Sequence, residues 1–319
     1  MILCLTHSGD FYTIDLVTKA ITDLGYEAVR FNTDRFDHSS VFSYSNKNGN
    51  FNTACTIDGQ IISLKDVKAV WNRKIWKIQA PKELDPGFAT PYLREYNTAR
   101  NIFFDSLDVP WMNDQKSDEA IASNKIKQLQ LAASAGLSVP KTIMTNKKDE
   151  IKSFFYDDCK KQMITKMHGA LSVSMDGSGA VFPTSQVQED DLKQLEGLQY
   201  CPMIFQEFIQ KEYELRIVYI NGKFFTGKIA TNTQKADWRQ EHAGTYTWQA
   251  YELPHDIADK LTALMQKANL LFGAIDMIKN KAGEYVFLEV NPKGEWGMLQ
   301  KDIGHPIAET IAEQLVKMI

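Results

Sequence analysis

The two apolar strands nearest the C-terminus constrain the fold more than any other part of the chain. Ala274–Ile278 and Glu284–Val290 flank Asn280-Lys281-Ala282-Gly283, a turn composition that predicts an antiparallel hairpin. Each strand carries one acid, Asp276 in Ala274-Ile275-Asp276-Met277 and Glu289 in Phe287-Leu288-Glu289-Val290-Asn291-Pro292. Side chains alternate along a strand, so Phe287, Glu289 and Asn291 share one face. A turn centred near Lys281 and Ala282 sets Asp276 opposite Phe287, with Glu289 as its diagonal neighbour at about 7–8 Å between backbones. That spacing suits carboxylates sharing magnesium, with water and phosphate completing the octahedra. A solvated face with two unrelated acids is the alternative, and the apolar setting of both acids favours the functional reading.

Upstream, Ile2–Leu5 predicts a buried strand. Ile14, Val17, Ile21 and Leu24 give a helical stripe closed by Gly25, and Glu27–Phe31 returns as a strand. Alternation from Phe42 to Leu64, with Asn48-Gly49 and Asp58-Gly59, predicts hairpins, and Val67–Trp71 a further buried strand. Pro81, Pro86 and Pro91 are expected to break the next segment before a helix over Glu95–Leu107, with Pro110-Trp111-Met112-Asn113 as a linker. A second unit begins near Ser117, with a helix ending at Gly136, an extended exit through Leu137-Ser138-Val139-Pro140, and strands at Met163–Met167 and Met203–Glu207. Glu189–Leu195 reads as an acidic helix, Glu214–Ile220 with Lys223–Ile229 as a hairpin about Asn221-Gly222, and Ile257–Leu271 and Ile307–Val316 as helices.

Composition excludes several classes. With 36 Lys and Arg against 40 Asp and Glu, the formal charge of −4 gives no general bias towards nucleic acid. No apolar run approaches the roughly 20 residues that span a bilayer, so no membrane association is expected. Cys4, Cys55, Cys159 and Cys201 are scattered without metal-ligand spacing and read as free thiols in a reducing cytoplasm.

Other residues carry chemistry in pattern. Lys166 lies in the apolar run Met163-Ile164-Thr165-Lys166-Met167, where an ammonium needs a partner such as phosphate. Lys127 stands on a helix, where a plain surface lysine is the competing reading. Gln206-Glu207-Phe208-Ile209 follows a buried strand whose exposed backbone can meet an adenine edge, and Glu214 can take ribose hydroxyls. Arg216 shares a face with Glu214 and can hold a phosphate or an oxyanion, or simply pair with Glu214. The small-residue loop 168–179 matches no phosphate-loop fingerprint.

Taken in order, Lys127, Leu137-Ser138-Val139-Pro140, Lys166, the small-residue loop, Gln206 to Ile209, Glu214, Arg216, Asp276, Glu289 and Asn291 resemble an ATP-grasp ligase. His7-Ser8-Gly9-Asp10, Asn32-Thr33-Asp34-Arg35-Phe36, Val70-Trp71-Asn72-Arg73, Asp237-Trp238-Arg239 and Asn291-Pro292-Lys293-Gly294-Glu295-Trp296 narrow the resemblance to microviridin-type graspetide macrocyclases, over nearly the whole chain. The resemblance implies an α/β and α+β ATP-grasp fold. It has an N-terminal α/β domain (1–115), a central lid (116–202) and a C-terminal ATP- and Mg2+-binding domain (203–319). It implies an enzyme that phosphorylates Asp or Glu side chains of a ribosomal precursor peptide and closes rings by attack of a Ser or Thr hydroxyl or a Lys amine. Lys127 and Lys166 would hold phosphates, residues 206–209 and Glu214 adenosine, and Asp276, Glu289 and Asn291 magnesium. Arg216 and Arg239 would offset charge in transfer. Asp190, Asp191 and Gln194 occupy the helix that reads an arginine in the leader segment of the precursor, and a homodimer is compatible with the family. Two other readings share the ATP residues: a ligase adding amino acids to a protein C-terminus, and a non-catalytic nucleotide- or peptide-binding module.

Overall fold

The computed structural model describes residues 1–35, 41–57, 59–167, 184–229 and 247–319. The chain forms two compact units, one of residues 1–115 and 305–319 and one of residues 116–304.

The first unit is built on β1 (Ile2–Thr6), wholly buried, as a strand covered on both faces must be. Helix α1 (Thr13–Asp23) buries Ile14, Val17 and Ile21 at helical spacing, and β2 (Ala28–Asn32) alternates with Val29 and Phe31 inward. Strands β3 (Val41–Lys47), β4 (Asn50–Ile57) and β5 (Gln60–Ser63) make the separate antiparallel sheet that the hairpin signals predict. Its first turn has φ 55° at Asn48 and 83° at Gly49, the left-handed pair that Asn-Gly supplies without strain. β6 (Ala69–Asn72) runs parallel to β1.

Helix α2 (Ala89–Asp105) starts earlier than expected, because Pro91 falls in its first turn, where the missing N–H has no intrahelical partner to lose. The supposed linker contains β7 (Trp111–Met112), which adds to the sheet in the order β2-β1-β6-β7, all parallel. One face of this sheet packs Leu3, Leu5, Val29, Phe31 and Val70 against Phe103 and Phe104 of α2.

The second unit opens with α3 (Gln115–Ala122) and α4 (Lys125–Ser134), two helices where one was expected. Asn124 divides them by capping α4, its Oδ1 accepting from the Lys127 N–H at 2.9 Å. β8 (Thr142–Thr145), α5 (Lys148–Ser153), β9 (Met163–Lys166), β10 (Ser185–Val187) and β11 (Met203–Glu207) follow. The four strands pair antiparallel in the order β10-β9-β11-β8 over a core of Phe154, Phe155, Met163, Val187 and Phe205.

A second sheet joins β12 (Lys211–Ile220), β13 (Lys223–Ile229) and β14 (Trp248–Ala250) to β15 (Phe272–Asn280) and β16 (Tyr285–Asn291), in the order β14-β13-β12-β15-β16. Between β14 and β15, α6 (His255–Lys267) buries Ile257, Leu261, Leu264 and Met265 against Leu215, Ile217 and Tyr219 of β12. With Leu129 and Ala132 of α4 they close one face of the sheet, at about 1.5–3 kcal/mol for each large apolar side chain removed from water. The opposite face is left for chemistry. Helix α7 (Gly297–Ile303) ends this unit, and α8 (Ile307–Lys317) returns to the first, packing on α1 with Ile307, Ile311 and Leu315 buried.

Candidate active site

Strand alternation on β12 turns Leu215 and Ile217 to the core and leaves Glu214 and Arg216 on the other face. Arg216 pairs directly with Asp276 on β15. Asp276 in turn lies directly opposite Glu289 on β16. The diagonal arrangement expected from the turn is thus corrected: a bulge places the register step between Asp276 and Met277, so that Met277 faces Phe287 and the two acids face each other. One row across three strands therefore carries Arg216, Asp276 and Glu289.

Arg216 is nearly buried. Its Nη1 donates to both oxygens of Asp276, at 2.8 and 2.9 Å, while Nε and Nη2 donate to the Glu295 carbonyl at 3.2 and 2.9 Å. The guanidinium is thereby fixed in one plane. Gly294 makes this possible: a Cβ there would fall 2.4 Å from Ala274 Cβ and 2.9 Å from Arg216 Nη2. Glu289 meets the Lys125 ammonium at 2.5 Å. Lys166, on β9 of the other sheet, lies in the field of the same groups. Burial pushes its pKa down to about 8, Lys125 adds to the shift, and Glu289 and Asp276 oppose it. Three cations thus converge on two carboxylates, an arrangement suited to polyphosphate with a divalent ion.

Lys125 escaped the sequence reading, which chose Lys127. Positions two apart lie about 200° around a helix, so only one of the pair can face β16. That one is Lys125, while the Lys127 side chain is exposed. The usable signal was Asn124 as cap, which makes Lys125 the first helical residue.

Asn291 ends β16 two residues beyond Glu289, its Oδ1 accepting from the Lys293 N–H at 3.0 Å. Lys293 reaches the fully buried Asp118 at 2.5 Å. Glu214 is paired with Lys211, a nearly buried lysine that sequence reasoning also passed over. Gln206 is buried and donates to Thr142 Oγ1 at 2.9 Å, so its side chain serves the sheet it belongs to. The Glu207 N–H donates to the Lys141 carbonyl and its carboxylate accepts from the Lys141 N–H, both at 3.0 Å, and the Phe208 N–H donates to the Gln162 carbonyl at 2.8 Å. Ile209 is half-buried where the chain leaves β11.

The acidic segment is a 3₁₀ turn, Glu189–Lys193, shorter than the expected helix. Asp191 spends one oxygen capping it, accepting from the Gln188 N–H at 2.7 Å. Asp190 pairs with Lys193 at 2.7 Å while remaining 87% exposed, and Gln194 is exposed just beyond. Asp237, Trp238, Arg239 and the loop 168–179 lie outside the described residues.

The carboxylates Asp276 and Glu289 and the carboxamide of Asn291 fit a hard cation that takes its other ligands from phosphate and water. The two carboxylates are held in register by a sheet, which preserves their spacing when their cationic partners exchange.

Residues 1–119 match the family described as MvdD pre-ATP grasp domain, and residues 122–315 match the RimK-like ATP-grasp domain. Among solved structures, the chain is similar to macrocyclase MdnB from Microcystis aeruginosa at 38% identity, covering 99% of this chain and 98% of that one with a TM-score of 0.84. It is similar to macrocyclase MdnC of the same organism, solved with precursor peptide MdnA, at 34% identity, 99% of both chains and a TM-score of 0.88. An ATP-grasp ligase associated with ribosomal peptide modification in Chryseobacterium gregarium, solved with ADP and a leader and core peptide, shares 30% identity over 100% of this chain and 97% of that one, with a TM-score of 0.91. Among curated proteins nothing matches the sequence.

Proposed function

The chain belongs to the RimK-like ATP-grasp ligases and, within them, to the microviridin-type peptide macrocyclases, and from that premise we propose how its own residues divide the work. The enzyme couples ATP and Mg2+ to macrocyclisation of a ribosomal precursor peptide. The reaction moves the γ-phosphoryl group of ATP to an Asp or Glu side chain of the peptide. A Ser or Thr hydroxyl or a Lys amine then displaces phosphate from the acyl carbon, giving an ester or amide ring, ADP and phosphate.

The observation that carries the assignment is the row Arg216–Asp276–Glu289 with Lys125 and Lys166 gathered on it. Lys125 and Lys166 hold phosphate oxygens, Lys125 taking the part that the sequence pattern suggests for Lys127. Asp276, Glu289 and Asn291 hold Mg2+, whose charge offsets the phosphates. Lys125 is then exchanged from Glu289 to the nucleotide. Residues 206–209 and Glu214 take adenosine, with Lys211 fixing the Glu214 carboxylate. Arg216, oriented by Asp276 and Glu295, faces the transferring phosphoryl group and the developing oxyanion, and Arg239 adds a second positive charge.

Asp190, Asp191 and Gln194 receive an arginine of the leader. The division into an N-terminal domain (1–115), a lid (116–202) and a catalytic domain (203–319) belongs to the same proposal, as do a cytoplasmic setting, matched by four unpaired cysteines, and a homodimer. Similarity to macrocyclases over both units, residues 1–119 included, supports this reading over a ligase acting on protein C-termini.

The test is a ribosomal precursor peptide with leader and core, incubated with enzyme, ATP and Mg2+. Loss of one water per ring with matching ADP release supports the reading. ATP-dependent addition of free glutamate to a protein C-terminus, with the peptide unchanged, overturns it.

A further inference from the structure

The carboxyl ends of β1 and β6 in the first unit carry groups that the reaction leaves unused. Leu5 pairs with Asn72, and His7 follows the end of β1 directly, so the two residues stand at neighbouring strand ends. Asn72 is 2% exposed, and neither its Nδ2 nor its Oδ1 has a hydrogen-bond partner among the described residues. His7 is 5% exposed, and its Nδ1 is equally unpartnered among them. Buried polar atoms are almost always satisfied, because leaving one unpaired forfeits its hydration with nothing in return. Three such atoms at one sheet end point to something that binds there. The outer carboxyl edge of an open parallel sheet is also where such sheets take ligands.

The surroundings are fixed in advance. The loop after β1 is tied down by Thr6 Oγ1 donating to Asp10 at 2.6 Å, by Ser8 donating to Asp34 through both N–H and hydroxyl at 2.7 Å, and by Arg30 donating to the carbonyls of His7 and Asp10 at 3.0 and 2.6 Å. Within it Tyr12 has φ 60° and ψ −71°, a strained turn closed by the Thr13 N–H on the Phe11 carbonyl at 2.7 Å. Trp76 lies flat on the His7 ring, centroids 3.7 Å apart and planes 3° from parallel, while 52% exposed. Trp76 thus walls the His7 ring on its outer side.

The chemistry of Asn72 selects the ligand. A carboxylate or phosphate would satisfy only the amide N–H2, and a cation only the oxygen. A peptide group, with N–H and C=O side by side, satisfies both. Burial also pushes His7 below its ordinary pKa, against the opposing pull of Asp10, so the ring is neutral and does not attract an anion.

We propose that Asn72 and His7 form a subsite on the first unit that grips a backbone peptide group of the precursor in extended form, with Trp76 as its cover. The proposal rests on the peptide-substrate reading above and extends it to residues outside the ATP-binding unit. Asn72 holds the peptide by a paired donor and acceptor, and His7 Nδ1 takes a neighbouring polar group.

Asn72→Leu keeps the heavy-atom skeleton and removes both orphaned atoms. Its melting temperature is expected to equal or exceed that of the wild type, since an unsatisfied polar group is lost. Its calorimetric Kd for the precursor peptide is expected to rise at least about tenfold, or 1.4 kcal/mol, with ADP affinity unchanged. A precursor Kd within about twofold of wild type overturns the subsite, leaving Asn72 with water as its only partner. An independent arm titrates N-acetyl-dialanine N-methylamide into wild-type protein and follows the Asn72 side-chain amide resonance. A saturable shift supports the subsite, and no shift overturns it, whether or not the leucine variant folds. If the wild type ignores the precursor while the resonance shifts, the functional reading fails and Asn72 is left as a peptide-group site for another peptide. If the leucine variant binds and cyclises the precursor as the wild type does, the subsite fails and the functional reading stands.

Discussion

Replacing Gly294 by alanine strikes at how Arg216 is held, and the outcome can be worked from distances. The new Cβ would sit 2.4 Å from Ala274 Cβ, well inside the roughly 3.5–4.0 Å at which carbon atoms rest. Ala274 is fully buried on β15 and pairs with Asn291, so the strand cannot yield without disturbing the row of Arg216, Asp276 and Glu289. The segment after β16 must therefore move outward by about 1 Å. The Glu295 carbonyl moves with it, and its 2.9 and 3.2 Å bonds from Arg216 stretch towards or past the hydrogen-bond limit. Overpacking of this kind costs about 1–3 kcal/mol. For a unit of this size that lowers the melting temperature by roughly 2–12 °C. A guanidinium misplaced by about 1 Å lowers kcat by about 100-fold. Calorimetry measures the first effect, and mass-spectrometric turnover of the precursor the second. Adding Ala274→Gly removes the carbon–carbon clash but leaves the contact at 2.9 Å with Arg216 Nη2, so stability should recover in part while turnover stays low. A Gly294→Ala enzyme with wild-type turnover and melting temperature would refute the claim that Gly294 positions Arg216.

Other outcomes follow from the same site. Lys125→Met should weaken ATP binding more than Lys127→Met in isothermal titration, because only Lys125 touches Glu289. Lys166 titrates near 8 in the folded chain against 10.5 in an unfolded one, so the unfolded state binds more protons between those values. Stability should accordingly rise with pH across that window in thermal melts and lose this dependence in Lys166→Met, while ATP affinity of the wild type falls above pH 8. Glu289→Ala with Asn291→Ala should abolish peptide turnover with the fold retained by circular dichroism. Asp190→Arg should weaken precursor binding in calorimetry without loss of stability, since its partner Lys193 is itself exposed, whereas Asp191→Arg should do both because Asp191 also caps its turn.

The carboxylate hairpin was legible because alternation survives in sequence: Asp276 and Glu289 stand out in apolar strands. Their direct opposition was not legible, since the bulge at Leu288 adds one residue to one strand with no compositional mark. Lys125 was hidden by the same locality. Two lysines two apart look equivalent until the packing of α4 on β16 selects the one that faces Glu289. Trp111–Met112 read as a linker because two residues between a proline and an asparagine are too few to show strand periodicity. The return of α8 to the first unit depends on contacts more than 280 residues apart in the chain, and no local pattern reports them. The orphaned atoms of Asn72 likewise exist only once β6 is laid beside β1.

Activation of a peptide carboxylate by phosphoryl transfer is the central claim, and oxygen labelling tests it most directly. The precursor is prepared with 18O in its Asp and Glu side-chain carboxyl groups and converted with unlabelled ATP and Mg2+, and the released phosphate is examined by mass spectrometry. One 18O in phosphate for each ring formed is the expected result. Rings that form while the phosphate carries only 16O would contradict the account.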